Sequence, residues 1–175
     1  MEANGLLFLG VAIALLGAGG GAGSVVVVGT PTPSLRTVYQ GEVGVREATG
    51  RNDGVRVAEY LRYCGLGEGY EWCAAFVSWC HGQAGYPQPR NAWAAALFPV
   101  SKTIWSKGRG ASPMRVPKDG DVFGIYTPSK KRIGHCGFVD QWDGKWCITV
   151  EGNVNNGVVR KRRLASTIRA ISRWN

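Results

Sequence analysis

Charge of either sign is scarce: Asp, Glu, Lys and Arg make up 19% of the 175 residues, and Ala3 to Leu35 contain none. Acidic residues number 12 and histidines two, and the five cysteines at 64, 73, 80, 136 and 147 include no C-x-x-C. An odd, irregularly spaced set of thiols is neither a disulfide scaffold nor a zinc knuckle, and at least one must be free in a monomer. A metal site would have to gather Cys80, His81, His135 and Cys136 from remote positions, so neither metal nor cofactor is expected. Hydrophobic residues at 45% exclude a mainly disordered chain, and no collagen or coiled-coil pattern is present. The length suits one domain plus a tail.

The charge that exists is unevenly placed. Residues 36–89 hold five basic and six acidic side chains, whereas residues 90–175 hold sixteen basic against five acidic, a net +11. Such an excess suits a polyanion: nucleic acid, an anionic membrane surface or an anionic wall polymer. Nucleic acid is the weakest of these, because strand alternation would send the neighbours of Arg160-Lys161-Arg162-Arg163 to opposite faces and no base-stacking motif accompanies them. At the other end, the apolar run Leu6–Leu16, the glycine cluster at 17–23 and Val25–Val28 are together long enough to cross a bilayer. With Glu2 as the only early charge, this reads as an uncleaved membrane anchor in preference to a signal peptide or a segment buried in an assembly. Pro31, Pro33 and Ser34 form a linker, which divides the chain into an apolar segment at 1–35 and a domain at 36–175.

In that domain the spacing predicts helices over Ser34–Ala48, Val55–Cys64 and the run WCAAFVSWCHGQAG, with Cys73 in the first turn of the third and Gly85 ending it. Beyond residue 117 the texture is β: Asp121–Tyr126, Gly137–Trp142, Trp146–Val150, Val158–Arg162 and Thr167–Arg173 read as strands, with a hairpin turn at Asp143-Gly144. Helices followed by an antiparallel sheet make an α+β fold. Trp93, Trp105, Trp142 and Trp146 are candidates to line a cleft.

Cysteine is a strong nucleophile only as a thiolate, which a helix N-terminus favours. Cys73 has that place, whereas Cys64 and Cys80 lie late in their helices. A thiolate nucleophile also needs an imidazole and a polar group to orient it. His81 sits in the same helix and points away from the first turn, while His135 opens a strand. In a hairpin centred on Asp143, residues 135 and 151 stand opposite each other, so Glu151 or Asn153 comes beside His135.

The run Glu71-Trp72-Cys73-Ala74-Ala75-Phe76-Val77-Ser78-Trp79, then Gly134-His135-Cys136-Gly137-Phe138-Val139, then Glu151-Gly152-Asn153 resembles the CHAP amidase/endopeptidase family of the papain-like NlpC/P60 group, over residues 38–174. The resemblance implies a papain-like fold, with helices on an antiparallel sheet, that cuts amide bonds of peptidoglycan. By position it makes Cys73 the nucleophile, His135 the general base, Glu151 the orienting group and Asn153 a supporting polar residue. Cys136 stands where many relatives have an aliphatic residue, a change expected to affect packing alone. The expected partners are peptidoglycan, a membrane through the N-terminal segment, and an anionic wall polymer. The expected location is the cell envelope, by anchor or export, or a phage virion. Two other readings stay open: a non-enzymatic, membrane-tethered structural or wall-binding protein that keeps the fold, and a cysteine protease or acyltransferase toxin.

Overall fold

A computed structural model describes residues 31–108, 110–111 and 116–175. The apolar segment expected to anchor the chain lies, up to residue 30, outside the described residues. Among the described residues no helix is long and apolar enough to cross a membrane. Residues 33–175 form one unit, and its described residues hold three α-helices, α1 (Leu35–Gly41), α2 (Val55–Tyr63) and α3 (Cys73–Gln83), and one sheet. The strands are β1 (Thr103–Ser106), β2 (Gly110–Ala111), β3 (Val122–Thr127), β4 (Arg132–Trp142), β5 (Trp146–Val154), β6 (Gly157–Leu164) and β7 (Ala170–Ser172). They pair antiparallel throughout, in the order β2-β1-β7-β3-β4-β5-β6.

Ser34 caps α1 by accepting a 3.1 Å hydrogen bond from the Thr37 N–H. The helix is half the length its sequence suggests. After Gly41 the chain turns through Gly44, at φ +100°, to the sheet edge, where the Gly44 N–H donates to the Val158 carbonyl and the Val45 carbonyl accepts from the Val158 N–H. Glu42, in this turn, is buried and accepts from the Tyr60 hydroxyl at 2.5 Å and Arg56 Nε at 3.1 Å, which ties α1 to α2. α3 is the central helix, with eight of its eleven residues buried. It packs with Tyr39, Tyr60 and Leu97 against Phe138, Val150 and Val158 of the sheet. Phe123, Val139, Cys147, Ile168 and Ile171 form a second cluster.

Gly152 sets how closely α3 approaches β5. A methyl group there would stand 2.7 Å from Trp72 Cζ3 and 2.8 Å from Phe76 Cβ, so any larger residue would push the helix and its N-terminal Cys73 off the sheet. Asp140 is a second tie. It sits at a bulge in the β4–β5 pairing, buried, where its carboxylate accepts from Arg36, Tyr39 and Gln40 of α1 and from Arg160 of β6.

Several strands differ from the expected bounds. β4 begins five residues early, so His135 lies inside the strand rather than opening it, with Gly134 as the extra residue of a bulge against β3. Of the expected strand Thr167–Arg173 only Ala170–Ser172 is a strand, Thr167 being the last residue of a 3-10 turn that begins at Ala165, and β1 and β2 lie outside the expected elements. The β5–β6 connection is a two-residue turn at Asn155-Asn156, both at positive φ, a geometry that matches the twist of the strands.

Candidate active site

The β4–β5 hairpin does turn at Asp143-Gly144, but its register is shifted from one centred on Asp143. Trp142 pairs with Cys147, and past the Asp140 bulge Val139 pairs with Thr149 and Phe138 with Val150. Continuing that register puts Gly137, not His135, opposite Glu151. The two side chains still meet, diagonally, on one face of the sheet. Gly137 makes room for this, since a methyl group there would stand 3.1 Å from Glu151 Cγ and 2.7 Å from the Val150 carbonyl oxygen. His135 Nε2 and Glu151 Oε2 are 2.8 Å apart.

Asn153 does not join them. Its φ of +59° lies in the bulge between β5 and β6, and its Nδ2 donates to Asn52 Oδ1 at 2.7 Å and, at 3.4 Å, to Glu47 Oε1. Glu47 Oε1 also accepts from Trp72 Nε1 at 2.9 Å. Asn153 therefore braces the segment between α1 and α2, and through Glu47 reaches Trp72, the residue before α3.

Cys73 begins α3, only 4% exposed, where the first N–H groups of the helix have no intrahelical acceptor. Its thiol is influenced by the neighbouring Cys136 thiol and the His135 ring. The S–H of Cys136, then the bond to His135 and the charge of its ring, pull the Cys73 thiol well below the ordinary thiol range, against a burial that opposes ionisation. Cys136 moves the other way, pushed well up by burial and then by Cys73, so it stays protonated and donates. Burial favours the neutral form of His135, but Cys73 and then Glu151 overcome it and raise the ring to about 9. With Nε2 on Glu151, Nδ1 is the nitrogen left to serve the thiol. Both shifts favour a thiolate–imidazolium pair, which can attack a carbonyl carbon and return a proton to a leaving amine.

Glu151 is wholly buried and fully bonded. Arg163 grips it with Nε on Oε1 and Nη2 on Oε2, both at 2.6 Å, and the Thr149 hydroxyl donates to Oε1. Burial pushes its carboxyl up, but Arg163, His135 and Thr149 outweigh that and hold it at about 2. Arg163, Thr149 and Cys136 are the members of this cluster that sequence reasoning missed. Cys136, expected only to pack, touches the Cys73 thiol.

Cys136→Ala tests that contact. Removing the S–H donor raises the Cys73 pKa, so the midpoint of Cys73 alkylation against pH is expected to move up by about one unit, the worth of one hydrogen bond to a charged group. Alkylation followed against pH by peptide mass spectrometry checks the direction.

His81 is remote from this work. It is buried in α3 against Phe138, with Nδ1 on the Val77 carbonyl oxygen, and burial pulls it down to about 4. Among the described residues no cluster of three or more His, Cys, Asp or Glu is arranged to hold a metal ion.

In front of the α3 N-terminus, Glu71 bonds Lys130 of the β3–β4 connection. A groove of about 390 Å³ runs past Tyr70, Glu71, Arg90, Asn91 and Trp93. Trp93 is 53% exposed and carries Arg132 over its ring at 5.5 Å. The other three candidate cleft tryptophans are half-buried elsewhere: Trp105 and Trp142 pack edge-to-face, and Trp146 lies under Arg162 at 3.9 Å.

Among solved structures, "The crystal structure of Ly7917" matches at 15% identity and TM-score 0.46, covering 82% of this chain and 62% of that one. "The crystal structure of Ly7917 with the hydrolyzing product of MDP" matches at 14% and 0.41, covering 81% and 62%. "X-ray Crystal Structure of PlyC" matches at 18% and 0.38, covering 67% and 34%. The chain thus spans about 62% of the length of the first of these. No curated protein matches it. The model of the CHAP domain matches residues 65–153, a span that runs from just before α3 through β5 and takes in Cys73, His135 and Glu151, and on that match the chain belongs to the CHAP domain family.

Proposed function

We propose that this protein is a cysteine-dependent hydrolase that cuts amide bonds of bacterial peptidoglycan, at the muramoyl-L-alanine bond or within the stem or cross-bridge peptide. The observation that carries the reading is the line Cys73, His135, Glu151 at the start of α3, inside a CHAP domain. The Cys73 thiolate attacks the amide carbonyl, and the Cys73 N–H, free in the first helical turn, helps hold the oxyanion. The His135 imidazolium gives its proton to the leaving amine. The neutral ring then takes a proton from water, which hydrolyses the thioester and restores the pair. Glu151 keeps the ring in register throughout, with Asn153 supporting from behind. The non-enzymatic alternative gives no account of a thiol and a carboxylate both driven below their ordinary ranges around one imidazole.

Digestion of purified sacculi is the test, with mass spectrometry of the released fragments. New amine and carboxyl ends identify the bond, and the absence of any released fragment would overturn the reading. The same assay with protein substrates separates it from a protease or acyltransferase toxin.

The uncharged stretch from Ala3 to Leu35 supports a further proposal, that it holds the domain at a membrane in the envelope or in a virion, while the basic C-terminal half contacts anionic wall polymer. The full chain is then expected to float with liposomes and residues 34–175 to stay in the soluble fraction, still active. Flotation of both forms, or of neither, defeats the anchor.

A further inference from the structure

The basic run Arg160-Lys161-Arg162-Arg163 suits a polyanion when read as sequence, yet one of its members is turned inward. In β6 the side chains alternate. Arg160 bonds Asp140 and Arg162 covers Trp146, whereas Arg163 reaches along the opposite face to Glu151. Its side chain is 21% exposed, and its guanidinium lies 5.9 Å from the centre of the Phe123 ring. Both of its bonds to Glu151 are short, and Glu151 has no access to solvent. A surface cation seeking a polymer would not be placed so.

We propose that Arg163 is a positioning residue: its two bonds fix which oxygen Glu151 presents to His135, and its charge offsets part of the carboxylate's, so that the imidazolium is held yet can still release its proton. Geometry carries this. Oε1 is occupied by Arg163 Nε and Thr149, leaving Oε2, shared with Arg163 Nη2, as the oxygen that meets His135 Nε2. An unopposed buried carboxylate would favour the charged ring more strongly. The groups that face the pair are Cys73 from α3, Cys136 from β4, Thr149 and Cys147 from β5, and Arg163 from β6. Of the neighbours, Cys147 is kept protonated by burial and then by Glu151, with its thiol pushed up to about 12. Arg163 is therefore the one cation in this set apart from the ring itself. The inference rests on Cys73 and His135 as nucleophile and base, but not on the wall as substrate.

The test needs no substrate. Of the two histidines only His135 titrates near 9, since His81 sits at about 4, so the ring carbon-bound protons of His135 can be followed by NMR across its own transition. In Arg163→Met, which keeps the side-chain bulk without donors or charge, the His135 titration is expected to rise by roughly one pH unit. In Arg163→Lys, which keeps the charge but lacks the planar fork, it is expected to stay where it is in the unaltered protein. Alkylation of Cys73 at neutral pH should nonetheless slow about fivefold in the lysine variant, because a single donor no longer fixes the carboxylate. Circular dichroism establishes that each variant is folded. A titration that stays put or falls in Arg163→Met overturns the proposal. So does alkylation of Arg163→Lys at the unaltered rate, and that second measurement decides alone if the methionine variant does not fold. If Cys73 of the unaltered protein alkylates no faster at neutral pH than an ordinary thiol, the reading of the nucleophile fails instead.

Discussion

Cys73→Ser is expected to fold normally and to lose hydrolysis of sacculi by about 10³-fold or more. Serine is close to isosteric, so the packing of the first turn of α3 against β4 survives. What goes is the ion pair. The Cys73 thiol ionises because Cys136 and His135 stabilise the anion, whereas a hydroxyl in the same place remains protonated and leaves His135 a neutral base with a weak nucleophile. Losing the thiolate also removes the first cause that raises His135, so its titration near 9 moves down. Cys80→Ser serves as the control, because burial pushes that thiol well above the ordinary range in the interior of α3. Activity retained by Cys73→Ser and lost by Cys80→Ser would refute the assignment.

Glu151→Gln is expected to cost about 10²-fold or more in kcat/KM and to narrow the pH profile from both sides. Without the carboxylate the imidazolium loses a stabilising charge and faces Arg163 uncompensated, so the alkaline limb, set by His135 at about 9, moves down by roughly one to two units. The Cys73 thiolate, stabilised in part by that imidazolium, forms less readily, which moves the acid limb up. The same substitution makes a stability prediction of definite sign. Glu151 sits at about 2 in the folded protein against 4.5 when free, so its contribution is fully present above the free value and is lost as pH falls through about 2. Melting curves of the two proteins should therefore lie furthest apart at pH values above about 4.5 and converge toward pH 2. His135 runs the opposite way, contributing fully below its free value of 6.5 and losing that contribution as pH rises through about 9. A pH–rate profile displaced by Asn153→Ala and not by Glu151→Gln would reverse the two residues' roles.

Cys73 and the His135–Glu151 pair could each be read from sequence because each rests on a local pattern, whereas the meeting of α3 with β4 is long-range and was carried by the resemblance. An apolar run beginning at Cys73 makes a helix with that thiol at its positive end, and Asp143-Gly144 can only be a tight turn. The register was misplaced because the turn centre lies beyond Gly144 and Asp140 adds a bulge, neither of which an alternation pattern reveals. Glu151 reached His135 regardless, because a glutamate spans a diagonal on a sheet face. Asn153, two residues further, did not, since its left-handed backbone turns it toward Asn52. Arg163 was hidden by its neighbours: in a run of four cations strand parity groups it with Lys161, and its meeting with Glu151 alone separates it from the surface. The shortness of α1 has a similar cause, since Gly44 and Val45 each bond Val158 of the sheet, contacts a longer α1 would forgo.

Asp140 has a bearing on how the molecule comes into being. Its partners on α1, Arg36, Tyr39 and Gln40, are separated from it by 100 to 104 residues, and Arg160 lies twenty further on. A chain emerging from the ribosome in order cannot seat its first helix until nearly all of it has been made, and closing so long a loop is among the slower events of folding. His135 and Glu151 arrive in the same late interval. During synthesis the Cys73 thiol is therefore an ordinary one, without partner or depressed pKa, and the nascent chain acquires a reactive cysteine only when its last quarter folds.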